Sequence, residues 1–199
     1  MQYRKFSDLG WNVSEIGIGC WAIGSEWGEV SEIDAREVLK TSLDKGVNFF
    51  DVAELYPIPP KAETQGKTEE CIGTWFKKTG NREKIILATK VAGRSPMSWF
   101  RGEGTKLDRE NIETAVDASL DRLQTDYIDL YQLHWPDRPM SMFGSGGIGY
   151  KHIESESISI NETLQVLSDL VTRGKIRYVG LSNETPWGLS EFLKYSEMN

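Results

Sequence analysis

The sequence feature that most restricts the fold is a regular alternation of short apolar runs with longer amphipathic segments. Candidate strands rich in apolar residues occupy residues 47–50, 85–89, 127–133 and 175–181, and each is separated from the next by a segment with the 3.6-residue apolar period of a helix. The run at 85–89 has apolar residues on both faces, as a strand buried on both sides requires. Strands that alternate with amphipathic helices predict βα units on a parallel sheet, and therefore an α/β fold.

Capping residues and glycines mark where the helices begin and end. A Ser, Thr or Asp before an apolar period and a glycine after it are the usual start and stop signals of a helix. The pattern predicts helices that begin near residues 31, 68, 108, 159 and 185. The predicted buried stripe of the first helix consists of Ala35, Val38, Leu39 and Leu43.

The first twenty residues predict strands rather than a nucleotide-binding turn. Residues 2–14 are typical of a small hairpin, and residues 16–20 of a glycine-rich strand. The Gly-x-Gly at 17–19 lacks the third glycine and the immediate helix of the dinucleotide fingerprint.

Composition narrows the class of protein. The chain has 199 residues, 39% of them hydrophobic, and a net charge of −7 that is spread along its length, which argues against nucleic acid or an anionic membrane as a partner. The two cysteines, Cys20 and Cys71, have no metal-ligand spacing and suit a reducing compartment. With no apolar leader or membrane-length run, we expect one cytoplasmic domain over residues 1–199.

Titratable residues stand where three of the predicted strands end. The first strand runs into Asp51, the second into Lys90 and the third into His134, and Tyr56 follows Asp51 closely. Each has a structural alternative: a turn cap, a lysine extending from the sheet rim, a satisfied buried histidine and a packed loop tyrosine. Because α/β barrels build their active sites at the carboxyl ends of the strands, the four together indicate one catalytic site.

These four side chains suit the reduction of a carbonyl group. A phenol is a poor proton donor near neutral pH because its ordinary pKa is ~10, and a neighbouring ammonium lowers that value. Asp51 could keep the ammonium charged, and neutral His134 could donate a hydrogen bond to a carbonyl oxygen that gains negative charge. The hydride must come from a bound cofactor, because no side chain can supply one.

At these motifs the chain resembles the aldo-keto reductase superfamily, and within it the Tas-type members. The resemblance covers essentially the whole chain and rests on Asp-Val-Ala-Glu-Leu-Tyr at 51–56, Ala-Thr-Lys at 88–90, Asp-Leu-Tyr-Gln-Leu-His-Trp at 129–135 and Gly-Lys-Ile-Arg-Tyr-Val-Gly-Leu-Ser-Asn-Glu at 174–184. It implies a (β/α)8 TIM barrel that uses NADPH to interconvert carbonyls and alcohols, with a catalytic tetrad of Asp51, Tyr56, Lys90 and His134.

The resemblance also implies a cofactor contact. Ser182, Asn183 and Asp51 would bind the cofactor, the first two at the nicotinamide carboxamide. The alternative for Ser182 and Asn183 is a cap before the helix that begins at Thr185.

Aromatic residues after the strands are candidates for a substrate pocket. Trp21, Trp99 and Trp135 follow strands or lie in rim loops, and rim packing is an equally good explanation for each. Phe143 and Tyr150 are further candidates in the long loop over 135–157, which is typical of a lid or binding loop, or else of a disordered segment.

The chain is shorter than a complete barrel requires. The sequence supplies about five of the eight βα units of a barrel, so we expect an N-terminal portion without part of the cofactor site and without the residues that distinguish NADPH from NADH. A non-catalytic regulatory subunit on the same fold and an inactive truncated fragment remain alternatives. In an open arc, apolar groups on Phe49, Leu87, Leu130 and Val179, or their neighbours, are expected to face water.

Overall fold

The computed structural model describes residues 1–24, 31–140 and 156–197. A hairpin comes first and βα units follow it in order along the chain. The elements are β1 Tyr3–Phe6, β2 Trp11–Ser14, β3 Ile18–Gly19, α1 Glu32–Asp44, β4 Phe49–Asp51, α2 Lys67–Thr79, β5 Ile86–Val91, α3 Arg109–Leu123, β6 Ile128–Leu133, α4 Ile160–Thr172, β7 Ile176–Leu181 and α5 Pro186–Ser196, with one 3₁₀ turn at Arg82–Lys84.

The five later strands form one parallel sheet in the order β3-β4-β5-β6-β7. Each strand pairs with the next in sequence, and a helix connects each pair from β3 to β7, as βα units require. The hairpin lies against the amino-terminal part of this sheet: Asn48 bonds Ser14, and the ring of Trp11 meets Tyr178 edge-on at 4.8 Å. The prediction of an α/β fold with an N-terminal hairpin is confirmed.

The predicted caps hold four of the five helices. The side chains of Ser31, Asp108, Ser159 and Thr185 each accept a hydrogen bond from the backbone N–H three residues later, which satisfies a donor that the helix itself cannot. The helix expected from residue 68 begins one residue earlier, at Lys67, after a left-handed Gly66. None of the helices in the described segments has both the length and the apolar composition that crossing a bilayer requires.

The apolar core lies mainly between the sheet and the helices, in two clusters. One joins α1, α2, β4 and β5, and the other joins α3, α4, β6 and β7. Val38 was predicted to face the core, but it is 49% exposed. The buried stripe of α1 is therefore narrower than the apolar pattern of its sequence predicts.

Two of the four side chains expected on the inner face of the sheet lie on the other face. Leu87 is fully buried against the helices because it pairs with Phe50, whose ring is in the same cluster; that prediction was wrong. Val179 likewise packs against the second helix-facing cluster. Adjacent strand residues point to opposite faces, so the register gives the inner positions to Phe49, Ile86, Leu130 and Tyr178.

Candidate active site

The Lys90 ammonium lies at the centre of the strand-end cluster. Its Nζ donates hydrogen bonds to Asp51 Oδ1, to the Val52 carbonyl oxygen at 2.6 Å and to Tyr56 Oη at 3.3 Å. Lys90 is inside β5 and nearly inaccessible, whereas Asp51 is the last residue of the neighbouring β4. A buried cation therefore joins a carboxylate to a phenol across two adjacent strands.

Tyr56 is carried by the loop between β4 and α2. The loop turns back on itself, because the Tyr56 N–H donates to the Ala53 carbonyl at 3.0 Å, and Gly66 N–H donates to the Tyr56 carbonyl at 3.1 Å. The Tyr56 ring lies 4.8 Å from Lys90 Nζ and meets the His134 ring edge-on at 5.7 Å. The phenol is thus fixed between the ammonium and the imidazole.

His134 is buried next to a cation. Burial lowers the pKa of its imidazole to about 3, with the positive charge of Lys90 as the smaller cause, so the ring is neutral near pH 7. Its Nδ1 is buried and has no hydrogen-bond partner in the described segments. A histidine kept only for structure is expected to have both ring nitrogens satisfied, and this one does not.

Gln132 also contacts the cluster, and sequence reasoning missed it. Its Nε2 donates to Asp51 Oδ2 at 3.3 Å. The available signal was the strand period: Gln132 precedes His134 by two residues and therefore shares its face of β6.

Ser182 and Asn183 follow β7 and lie beside His134. The Ser182 N–H donates to the Leu133 carbonyl at 2.9 Å, and Asn183 Nδ2 donates to the His134 carbonyl at 2.8 Å and to Ser182 Oγ at 3.0 Å. Asn183 has φ 54°, a left-handed conformation that asparagine tolerates. The cap of α5 is the Thr185 hydroxyl, so helix capping does not account for these two residues.

The three candidate pocket tryptophans differ in exposure. Trp21 and Trp99 are 41% and 42% exposed, whereas Trp135 is 7% exposed and donates from Nε1 to the Arg94 carbonyl. Phe143 and Tyr150 lie outside the described residues.

An apolar cluster surrounds the phenol on the loop side. Its members come from the loops after three successive strands, so side chains far apart in sequence shield the polar groups from water. They are Ala53, Leu55, Ala92 and Trp135, with Tyr56, Ile58, Met97 and Phe100 packed against them. Hydrogen bonds and charges act more strongly in such a water-poor setting than in bulk water.

This arrangement brings together a phenol, a cation that can stabilise its deprotonated form, and a neutral imidazole. No set of three His, Cys, Asp or Glu side chains in residues 1–24, 31–140 and 156–197 could hold a metal ion. The groups can donate a proton to an oxygen and stabilise negative charge on it.

Comparisons with known proteins point to one family. The model of the aldo/keto reductase family matches residues 15–198. Protein tas of Escherichia coli is 44% identical over 99% of this chain and 56% of its own length, and the aldo-keto reductase yakc [NADP(+)] of Schizosaccharomyces pombe is 36% identical over 85% and 42%.

A solved structure has the same fold. The aldo-keto reductase AKR11C1 from Bacillus halodurans, in its holo form, superposes with a TM-score of 0.72 at 34% identity and covers 98% of this chain and 54% of its own. The chain therefore spans about half the length of the proteins it matches.

Proposed function

The chain belongs to the aldo/keto reductase family, and on this basis we propose that the protein reduces aldehydes or ketones to alcohols, reversibly, with NADPH. One observation carries the proposal: Lys90 Nζ bonds both the Asp51 carboxylate and the Tyr56 phenol, and neutral His134 lies against the same phenol. The whole constellation is at the carboxyl end of a parallel sheet, where barrel enzymes carry out their chemistry.

In this proposal Tyr56 gives its hydroxyl proton to the carbonyl oxygen of the substrate. Lys90 stabilises the phenolate that remains, and Asp51 holds the ammonium in place by accepting its hydrogen bond. His134 donates a hydrogen bond to the same substrate oxygen as negative charge develops on it, which its neutral form can do without a change of charge. The reverse reaction returns the proton from the alcohol to Tyr56.

The cofactor belongs to the same proposal. Bound NADPH supplies the hydride that no side chain can provide. The Ser182 hydroxyl and the Asn183 amide offer donors and acceptors that complement a carboxamide, and both lie beside His134. The unpartnered buried Nδ1 of His134 fits a site that is completed by bound groups. The name of the yakc relative specifies NADP(+), which supports this choice of cofactor.

The proposal extends to the substrate pocket and to the localisation. Trp21 and Trp99 have exposed ring surface, and Trp135 packs beside Tyr56, so we assign all three to the wall of the carbonyl pocket. We also assign the protein to the cytoplasm, where NADPH is available.

The test follows carbonyl-dependent NADPH oxidation by the full-length protein with 4-nitrobenzaldehyde as probe. Wild type is expected to oxidise NADPH, and Tyr56→Phe to lower kcat by at least ~10²–10⁴ while NADPH binding, followed by fluorescence, is retained. Tyr127→Phe is the matched control because its phenol bonds Glu83, outside the site. NADPH binding without turnover in wild type would instead support a non-catalytic subunit.

A further inference from the structure

A buried carboxylate lies between two members of the proposed catalytic set. Glu54 is three residues after Asp51 and two before Tyr56, and it is 1% exposed. Its Oε1 accepts a hydrogen bond from the Ala92 backbone N–H at 2.8 Å, and Arg101 donates to both of its oxygens, at 2.8 Å and 3.2 Å. The carboxylate is therefore fully engaged by the loop that follows β5.

The Glu54 backbone is hydrogen-bonded to β5, the strand that carries Lys90. Its N–H donates to the Lys90 carbonyl at 3.1 Å, and its carbonyl accepts from Gln65 Nε2 at 3.0 Å. Glu54 therefore bonds Lys90 through its backbone and Ala92 through its side chain. These two contacts attach the Tyr56 loop to the chain on either side of Val91. The distance from Lys90 Nζ to Tyr56 Oη therefore depends on the position in which these bonds hold Glu54.

Arg101 extends the anchor to a helix and to a candidate pocket residue. Its Nε donates to Asn111 Oδ1 at 2.8 Å, and Asn111 in turn bonds Asp108, the N-cap of α3. Trp99 and Phe100, which stack with each other, immediately precede Arg101. One ion pair thus fixes the tyrosine loop and the tryptophan loop relative to the start of α3.

Stability alone does not explain this ion pair. Both partners are largely withdrawn from water. The free-energy cost of desolvating a buried ion pair commonly offsets the attraction between its charges. Apolar residues in the same positions therefore often give a protein equal stability. Hydrogen bonds to buried charges do, however, fix geometry. We propose that Glu54, held by Arg101, is a positioning residue that sets the distance between Tyr56 and Lys90; this rests on the proposed reductase function.

Asp129 provides a matched control for Glu54. It is 2% exposed, accepts from the Leu87 backbone N–H at 2.9 Å, and pairs with Arg82 and Arg177 at 2.8 Å each. It therefore offers the same chemistry as Glu54, a buried carboxylate on a backbone N–H and arginine, near the opposite end of the sheet.

The kinetic test compares Glu54→Gln with Asp129→Asn in the full-length protein. Glu54→Gln is expected to lower kcat by about tenfold or more, with KM for NADPH nearly unchanged, because small misplacements of reacting groups can cost ~10²-fold. Asp129→Asn is expected to change kcat by less than about twofold, since it leaves the reacting groups in place. Equal effects of the two variants on kcat would overturn the proposal.

A spectroscopic test does not depend on turnover. In protein labelled with 3-fluorotyrosine, the Tyr56 resonance is identified by its loss in Tyr56→Phe. Glu54→Gln is expected to shift or broaden that resonance, whereas Asp129→Asn is expected to move Tyr127, whose ring lies 4.0 Å from both Arg82 and Arg177. An unmoved Tyr56 resonance in Glu54→Gln would refute the positioning role, even if the protein reduced no carbonyl.

Arg101→Lys provides a second variant in case Glu54→Gln does not fold. It retains the charge but loses the two-pronged contact, so it is expected to move the Tyr56 resonance and lower kcat, with a smaller change than Glu54→Gln. A Tyr56 resonance and a kcat like those of wild type in Arg101→Lys would contradict the proposal.

Discussion

Among single residues, Lys90 has the most concentrated set of contacts in the site. One ammonium serves the Asp51 carboxylate, the Val52 carbonyl and the Tyr56 phenol, and the ring face of Tyr56 is 4.8 Å away. A group with three oxygen partners is held in place, and so is the phenol that depends on it.

Removal of this ammonium should slow the reaction. We expect Lys90→Met to lower kcat by at least ~10², because the positive charge that stabilises the phenolate left by Tyr56 is lost. Lys84→Met, at an exposed position before β5, is the control and should leave kcat unchanged. A kcat like that of wild type in Lys90→Met would contradict the role given to this lysine.

His134 gives the protein a specific response to acid. Its pKa is about 3 in the folded protein against 6.5 for an ordinary histidine, so between these values the unfolded chain binds a proton that the folded chain does not. The free energy of unfolding should therefore fall as the pH drops below ~6.5, by at most ~1.4 kcal/mol per pH unit from this group.

NMR of the imidazole nitrogens tests this directly. The chain has two histidines, so the His152→Gln variant leaves only the signal of His134. That signal should remain that of a neutral ring down to about pH 4, and His134→Gln should flatten the pH dependence of unfolding. Protonation of His134 near pH 6.5 would show that the ring is not buried as described.

At the level of elements, α2 and α3 approach each other closely at Gly73. A Cβ at this position would lie 2.1 Å from the Arg122 carbonyl oxygen, too close for any side chain without backbone movement. The backbone atoms of Leu123 lie almost as near, so the clash is with the main chain of α3 and not with a movable side chain.

Gly73→Ala therefore tests whether close packing against α3 outweighs the higher helix propensity of alanine. Alanine favours an isolated helix by ~1 kcal/mol over glycine, yet we expect the variant to be destabilised by ~1–3 kcal/mol because α3 must shift. Lys77→Ala, at an exposed position of the same helix, should change stability by less than ~0.5 kcal/mol. A Gly73→Ala protein as stable as wild type in chemical denaturation would mean that the helices are further apart.

For the molecule as a whole, the outermost strands of the described sheet are the important feature. Within the described segments β3 and β7 each have one parallel neighbour, and β7 is only partly buried. Unpaired strand edges favour association with other chains, and apolar side chains left in water cost ~25 cal/mol per Å².

We expect the 199-residue chain, produced alone, to be marginally stable, to associate, and to bind NADPH weakly or not at all. Sedimentation over a range of concentrations and thermal unfolding measure the first two properties, and NADPH fluorescence measures the third. A monomer with a sharp cooperative melt, or micromolar NADPH binding, would show that these five βα units are self-sufficient.

The sequence by itself determined the elements and the proposed catalytic residues, because the signals for both are local. The caps at Ser31, Asp108, Ser159 and Thr185 lie within one turn of the helices they begin. Asp51, Lys90 and His134 could be grouped because parallel strands that are neighbours in sequence bring their carboxyl ends to one edge of the sheet.

Only the tertiary structure decided which side chains meet. The bond from Gln132 to Asp51 and the pairing of Glu54 with Arg101 join residues 81 and 47 positions apart. The strand period gives the face of β6 on which Gln132 lies, but no local pattern gives the partner of either side chain. The facing of Leu87 was likewise unpredictable, because an apolar strand buried on both sides has no polar residues to mark its orientation, and only the register with β4 fixes it.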